Sequence, residues 1–152
     1  MIYDFRLAGN KVRLWQRTGE SYEHVLLKAL GFAMFFEAYP NLEIEKKVGL
    51  RYNPDLVARN ENGEFIFWGE AGDNSFRKTY WLLKHAGVER LVLLKLAIGD
   101  RQFVKQLRAE IPARYREDGR LSVINFTENI VRLTSDKTID RVLPEWYRET
   151  KV

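Results

Sequence analysis

The chain of 152 residues has no cysteine, which excludes disulfides and thiolate metal centres. It has two histidines, His24 and His85, too few for an ordinary zinc site. Any metal would therefore be held by oxygen, which points to magnesium, manganese or calcium. The longest apolar run, Ala29 to Phe36, is too short to span a bilayer, so no membrane partner is expected. The N-terminal MIYDFRLAGN carries an aspartate and has no apolar signal core. These absences lead to the expectation of a cytoplasmic protein. No repeat, low-complexity stretch or linker divides the chain, and one domain over 1–152 is expected. Apolar residues make up 45% and charged residues 30%, which is globular rather than disordered composition. The net charge of +4 is compatible with a polyanionic partner.

What is present is a pattern of short strands and helices. Ile2 to Leu7 and Lys11 to Gln16 read as a strand pair around Ala8-Gly9-Asn10. Thr18 to Phe36 reads as a helix with a wide apolar face. Leu42 to Val48, Leu56 to Arg59 and Glu64 to Gly69 read as three strands, the last two joined by Asn60-Glu61-Asn62-Gly63. Asn74 or Ser75 caps a helix to about His85, with Gly87 at its end. Leu91 to Ala97 is continuously apolar apart from Lys95, as a buried strand would be. Asp100 caps another helix to about Ile111, and Leu121 to Phe126 is a further strand. The tail reads as a strand at Ile130 to Thr134 and a short amphipathic end around Trp146. The expected fold is α/β: a mixed central β-sheet with an antiparallel three-strand meander, flanked by helices, its later strands joined by helical crossovers.

The chemistry concentrates on two carboxylates. If Asn62-Gly63 is a two-residue type I′ turn, paired positions sum to 125, so Asp55 faces Glu70 with Cβ atoms roughly 4.5–5.5 Å apart. Like charges so placed repel unless neutralised, and a divalent cation with oxygen ligands does that. Pro54, without an N–H, suits the strand start just before them. The alternative is two solvated strand-end acids. Glu23 lies at helical spacing from Leu26, Leu27, Leu30 and Met34 and is the candidate third ligand. Glu20 is read as a first-turn acid that favours the helix dipole.

The segment from Asn53 to Gly72, NPDLVARNENGEFIFWGEAG, resembles the core of the PD-(D/E)XK nuclease superfamily: Pro-Asp, a hairpin, then Glu-x-Lys. Closer still, the chain is similar to the YaeQ family of small bacterial proteins. The shared features are Glu20 and Glu23, the helix end Leu30 to Met34, Pro54-Asp55-Leu56, a strand ending in Trp68, the acid Glu70, Gly72, and Val123-Ile124-Asn125. The resemblance implies a restriction-endonuclease-like fold and a metal-dependent nuclease. Asp55, Glu70 and the Ala71 carbonyl would hold Mg²⁺ (or Mn²⁺), with Glu23 binding directly or through water. The motif lysine, which orients or activates the attacking water, is replaced here by Gly72. Lys78 on the following helix is the candidate replacement, then Lys46 or Lys47. The implied partner is nucleic acid, DNA first, with a homodimer kept open. The alternative function is a catalytically inactive relative that binds nucleic acid or a protein.

Trp68, Trp81, Phe65 and Phe67 read either as base-stacking residues or as core, the strand context favouring core. Arg101, Lys105, Arg108, Arg114, Arg116 and Arg120 read as a phosphate-tracking patch or a solvated face, diluted by Asp100, Glu110, Glu117 and Asp118.

Overall fold

A computed structural model describes all of residues 1–152. The strands are β1 (Ile2–Leu7), β2 (Asn10–Trp15), β3 (Glu43–Ile44), β4 (Leu56–Arg59), β5 (Phe65–Ala71), β6 (Leu91–Leu96), β7 (Leu121–Phe126), β8 (Thr138–Ile139) and β9 (Tyr147–Lys151). The α-helices are α1 (Tyr22–Phe35), α2 (Phe76–Lys84), α3 (Asp100–Glu110) and the single turn α4 (Ile130–Leu133). They build two mixed sheets. A six-stranded sheet runs β3-β4-β5-β6-β7-β9, and a small one runs β2-β1-β8. No helix is long and apolar enough to cross a membrane.

Period-2 alternation explains how the large sheet is covered. Leu56, Ala58, Phe67, Ala71, Val92, Leu94, Ile124 and Phe126 face α1 and join one core with Val25, Leu26, Ala29 and Leu30. Their neighbours Val57, Trp68, Leu91, Leu93, Leu121 and Val123 face α2 and α3 and join a second core with Leu82, Leu83, Val104 and Leu107. Strands β5, β6 and β7 are parallel, with α2 and α3 as crossovers, as the continuous apolar run Leu91 to Leu94 anticipates.

The meander is partly as expected. β3, β4 and β5 pair antiparallel in chain order, but β3 is two residues long rather than spanning Leu42 to Val48. Helix α1 starts at Tyr22, not Thr18, because Ser21 accepts the His24 N–H as its N-cap. Ser75 caps α2 in the same way, and Asp100 sits in the first turn of α3 rather than at its cap. Two expectations for the tail are corrected. Ile130 to Thr134 forms a helical turn whose buried Ile130 anchors it, not a strand. Beyond Trp146 the chain forms β9, the antiparallel edge beside β7.

The hairpin turn also differs. Only Gly63 has positive φ (+79°), so Asn62-Gly63 is not type I′, which needs it at both residues. Instead Gly63 N–H donates to Asn60 O, and Asn60 and Glu64 close the loop. The Asn60 carboxamide oxygen accepts from the Asn62 and Glu64 amides. Pairs near this turn sum to 124, as at Arg59–Phe65. A bulge then restores 125 from Ala58–Phe67 to Leu56–Gly69. The two one-residue shifts cancel. Ile66 is the extra residue, and it packs with Phe67 into the α1-side core instead of alternating with it.

Candidate functional site

The ladder ends at Leu56–Gly69, with Asp55 and Glu70 as the residues just beyond it. The two carboxylates are gripped from opposite sides of the sheet. Asp55 Oδ2 accepts the Ala71 N–H at 2.8 Å and lies 3.6 Å from His24 Nε2 on α1. Glu70 points toward α2. Its Oε1 accepts the Trp68 indole N–H at 2.8 Å and pairs with Lys78 Nζ at 3.0 Å. Burial and the Asp55 charge raise the Glu70 pKa to about 7, against the pull of Lys78. Asp55 is itself costly to bury, but His24 and the Ala71 amide hold it below the ordinary aspartate value.

A third group arrives from β6. Lys95 is 5% exposed, donates to the Gly72 carbonyl, and lies 3.2 Å from Asn74 Oδ1. Burial pulls it below the usual lysine range, while Asp73 and Glu70 oppose the shift. Parallel register explains its position: Ala71 pairs with Leu94, so the next residue of β6 meets Gly72. Gly72 has φ +74°, and a Cβ there would sit 3.1 Å from His24 Cδ2. A side chain at position 72 would thus be strained and crowded, and the lysine that meets Gly72 is Lys95 of the neighbouring strand.

Asp55, Gly72 and Lys95 border a cleft of about 670 Å³ at the carboxyl ends of β5 and β6, where open α/β sheets usually place ligands, while Glu70 and Lys78 lie outside its lining. Its α1 wall carries a charge network. Lys28, 1% exposed, bonds to Glu20 Oε2 at 2.7 Å and to Glu45. Glu20 also bonds His24 Nδ1, and Arg17 reaches Glu45 at 2.9 Å. Lys28, the Arg17 amide and His24 hold Glu20 ionised despite its burial. Asp55, then Glu20, raise the His24 pKa.

The expected residues separate accordingly. Asp55, Glu70, Ala71 and Lys78 are brought together. Glu23 lines the cleft but is exposed, and no group of three or more acids or histidines is close enough to hold a metal. The expected convergence of three carboxylates is therefore not formed: Glu23 sits one helical position outside the buried stripe. Lys46 pairs with Glu43 at 3.6 Å, and neither Lys46 nor Lys47 lines the cleft. Glu20 is more than a dipole partner, being tied to two cations. Sequence reading missed Lys95, Lys28 and Glu45. A lysine inside the apolar run of Leu91 to Ala97 was the available signal for Lys95, since a buried strand does not carry one without a partner.

The arrangement of elements decides the comparison with known structures. In fold this chain resembles the YaeQ proteins. The YaeQ protein from Xanthomonas axonopodis pv. citri superposes with a TM-score of 0.64 at 16% identity, over 99% of this chain and 93% of that one. The YaeQ protein from Pseudomonas syringae gives 0.61 at 14% identity, over 97% and 91%. No protein-family model and no curated protein matches the chain.

Proposed function

We propose that this chain is a metal-dependent nuclease of the PD-(D/E)XK type, hydrolysing phosphodiester bonds in nucleic acid, DNA first, on a restriction-endonuclease-like sheet. The observation that carries the reading is Lys95, drawn into contact with the Gly72 carbonyl beside Asp55 and Glu70. It supplies from β6 the cation that the motif lacks.

The donor set suits a hard divalent ion such as magnesium or manganese, which binds through one or two carboxylates and completes its shell with water and phosphate. Asp55 Oδ1 and Glu70 Oε2 make no protein hydrogen bond and are the free acceptors, with the Ala71 carbonyl beside them. When bound, the ion supplies an acidified water and neutralises charge on the phosphate. Lys95, made less basic by burial, positions the water and exchanges a proton with it. Lys78 screens Glu70 and is released toward the phosphate. Glu23 acts from the α1 wall through water. Asp55→Asn, Glu70→Gln or Lys95→Ala should each lower manganese-dependent cleavage of plasmid and oligonucleotide substrates by about 10²-fold or more. Cleavage unchanged in both carboxylate variants would sink the proposal.

One observation favours a second reading. Both carboxylates already have cationic partners in the chain, Lys78 on Glu70 and His24 beside Asp55. A non-catalytic relative would use this neutralised site only to bind nucleic acid or a protein. It predicts salt-sensitive binding without turnover.

A further inference from the structure

The outer face of α2 is unusual. Arg77, Tyr80, Trp81, Lys84 and His85 recur at helical spacing on one side, while Thr79, Leu82 and Leu83 are buried on the other. An outward face ordinarily carries small polar and charged residues, and here two large aromatic side chains interrupt it. With Arg51 and Tyr52 from the loop before β4, they line a second cleft of about 320 Å³, the size of a small-ligand site.

Its chemistry is specific. Tyr52 and Trp81 meet edge to face at 5.4 Å, and both half-buried rings line the cleft. Arg51 lies over the Tyr52 ring at 5.5 Å and Lys84 over Tyr80 at 5.6 Å. Arg51, Arg77 and Lys84 form no salt bridge, unlike Arg17, Lys28, Lys78 and Arg90. The wall holds a single acid, Glu110. Unpaired cations interleaved with half-buried aromatic faces are complementary to a polyanion that carries planar groups. A duplex keeps its bases stacked inside and offers none to Trp81, whereas a single strand does. The cleft also adjoins the carboxylate site, because Lys78 reaches both the Tyr52 ring (5.3 Å) and Glu70 (3.0 Å).

We propose that this cleft binds single-stranded nucleic acid. One base stacks against Trp81, and the flanking phosphates pair with Arg51, Arg77 and Lys84. The strand then leads past Lys78 to Asp55 and Glu70. This rests on the nucleic-acid reading of the site and names the form of the substrate.

The test is binding of a fluorescein-labelled oligothymidine, and of a duplex of the same length, by fluorescence anisotropy in EDTA, where no cleavage occurs. The single strand should bind more tightly and quench tryptophan fluorescence, and the quenching should vanish in Trp81→Phe. Trp81→Ala should weaken binding roughly 5- to 150-fold. The exposed pair Arg77→Ala/Lys84→Ala, which does not disturb the core, should flatten the slope of log K against log salt by about 1.4. Thermal unfolding establishes that each variant is folded. Equal affinity for the duplex, or unchanged affinity and salt slope in the Arg77/Lys84 variant, overturns the proposal. Displacement of the oligonucleotide by polyglutamate at equal charge concentration would also overturn it, assigning the cleft to an acidic protein segment. Tight single-strand binding without manganese-dependent cleavage would remove the nuclease reading and leave this one standing.

Discussion

Replacing Glu70 by glutamine should change the pH dependence of folding stability in a defined direction. Glu70 is 3% exposed, and burial together with the Asp55 charge raises its pKa from 4.5 to about 7. A raised acid binds its proton more tightly in the folded state. Below pH 4.5 both states are protonated and Glu70 carries no penalty. Above pH 7 both are ionised and the penalty is complete. Between these values the folded state holds more protons, so stability falls as pH rises. At 1.36 kcal/mol per pH unit, the loss is about 3 kcal/mol. Glutamine keeps an acceptor for the Trp68 indole and has no charge to desolvate. The stability of Glu70→Gln relative to wild type should therefore rise by about 3 kcal/mol between pH 4.5 and pH 8. The assay is urea unfolding of both proteins in EDTA at half-unit pH steps, and the difference curve cancels the groups that do not interact with Glu70. A flat difference, or one falling with pH, refutes the assignment of the burden to Glu70. Repeating the series with millimolar manganese tests the metal site, since a cation between the carboxylates shrinks the drop and stabilises the wild type.

His24 should titrate above the ordinary histidine value, because Asp55 and then Glu20 favour its imidazolium. Its contribution to stability is full below pH 6.5 and lost as pH rises through the folded-state pKa. NMR titration of the ring protons should show the midpoint falling in Asp55→Asn and in Glu20→Gln; an unmoved midpoint refutes the bridge. Gly72→Ala should destabilise the fold by about 1–2 kcal/mol, from the φ of +74° and the close His24 ring. Thermal denaturation checks this, and an unchanged or raised Tm means that the turn relaxes without strain.

Part of the site was legible because its causes are local. Pro54-Asp55, the Asn-Gly turn and alternation through Leu56 to Arg59 and Phe67 to Gly69 point to a hairpin with an acid near the end of each strand. The turn type was nevertheless wrong, and the register held only because a bulge at Ile66 offset the longer loop. Alternation could not show that, since Phe65, Ile66 and Phe67 are all apolar. Glu23 and Glu20 illustrate the opposite limit. Glu23 lies in the first turn of α1 and Glu20 just ahead of its cap, and helical spacing favours Glu23, yet the buried network chose Glu20 because His24 and Lys28 stand four and eight residues farther along.

The sequence by itself determined the α/β order, the buried strands and a helix cap at Asn74 or Ser75. Each follows from side-chain periodicity, capping chemistry or turn residues within a few positions. Tertiary structure alone decided where the cations went. Lys95 meets Gly72 through the parallel register of β5 and β6, and Lys28 meets Glu45 because α1 packs over the meander. It also made β9 an edge strand and divided the strands between two sheets. These depend on contacts between residues far apart in the chain, which local periodicity does not encode. That position 72 is a glycine was a matter of local sequence; that Lys95 of β6 meets it became visible only in the folded sheet.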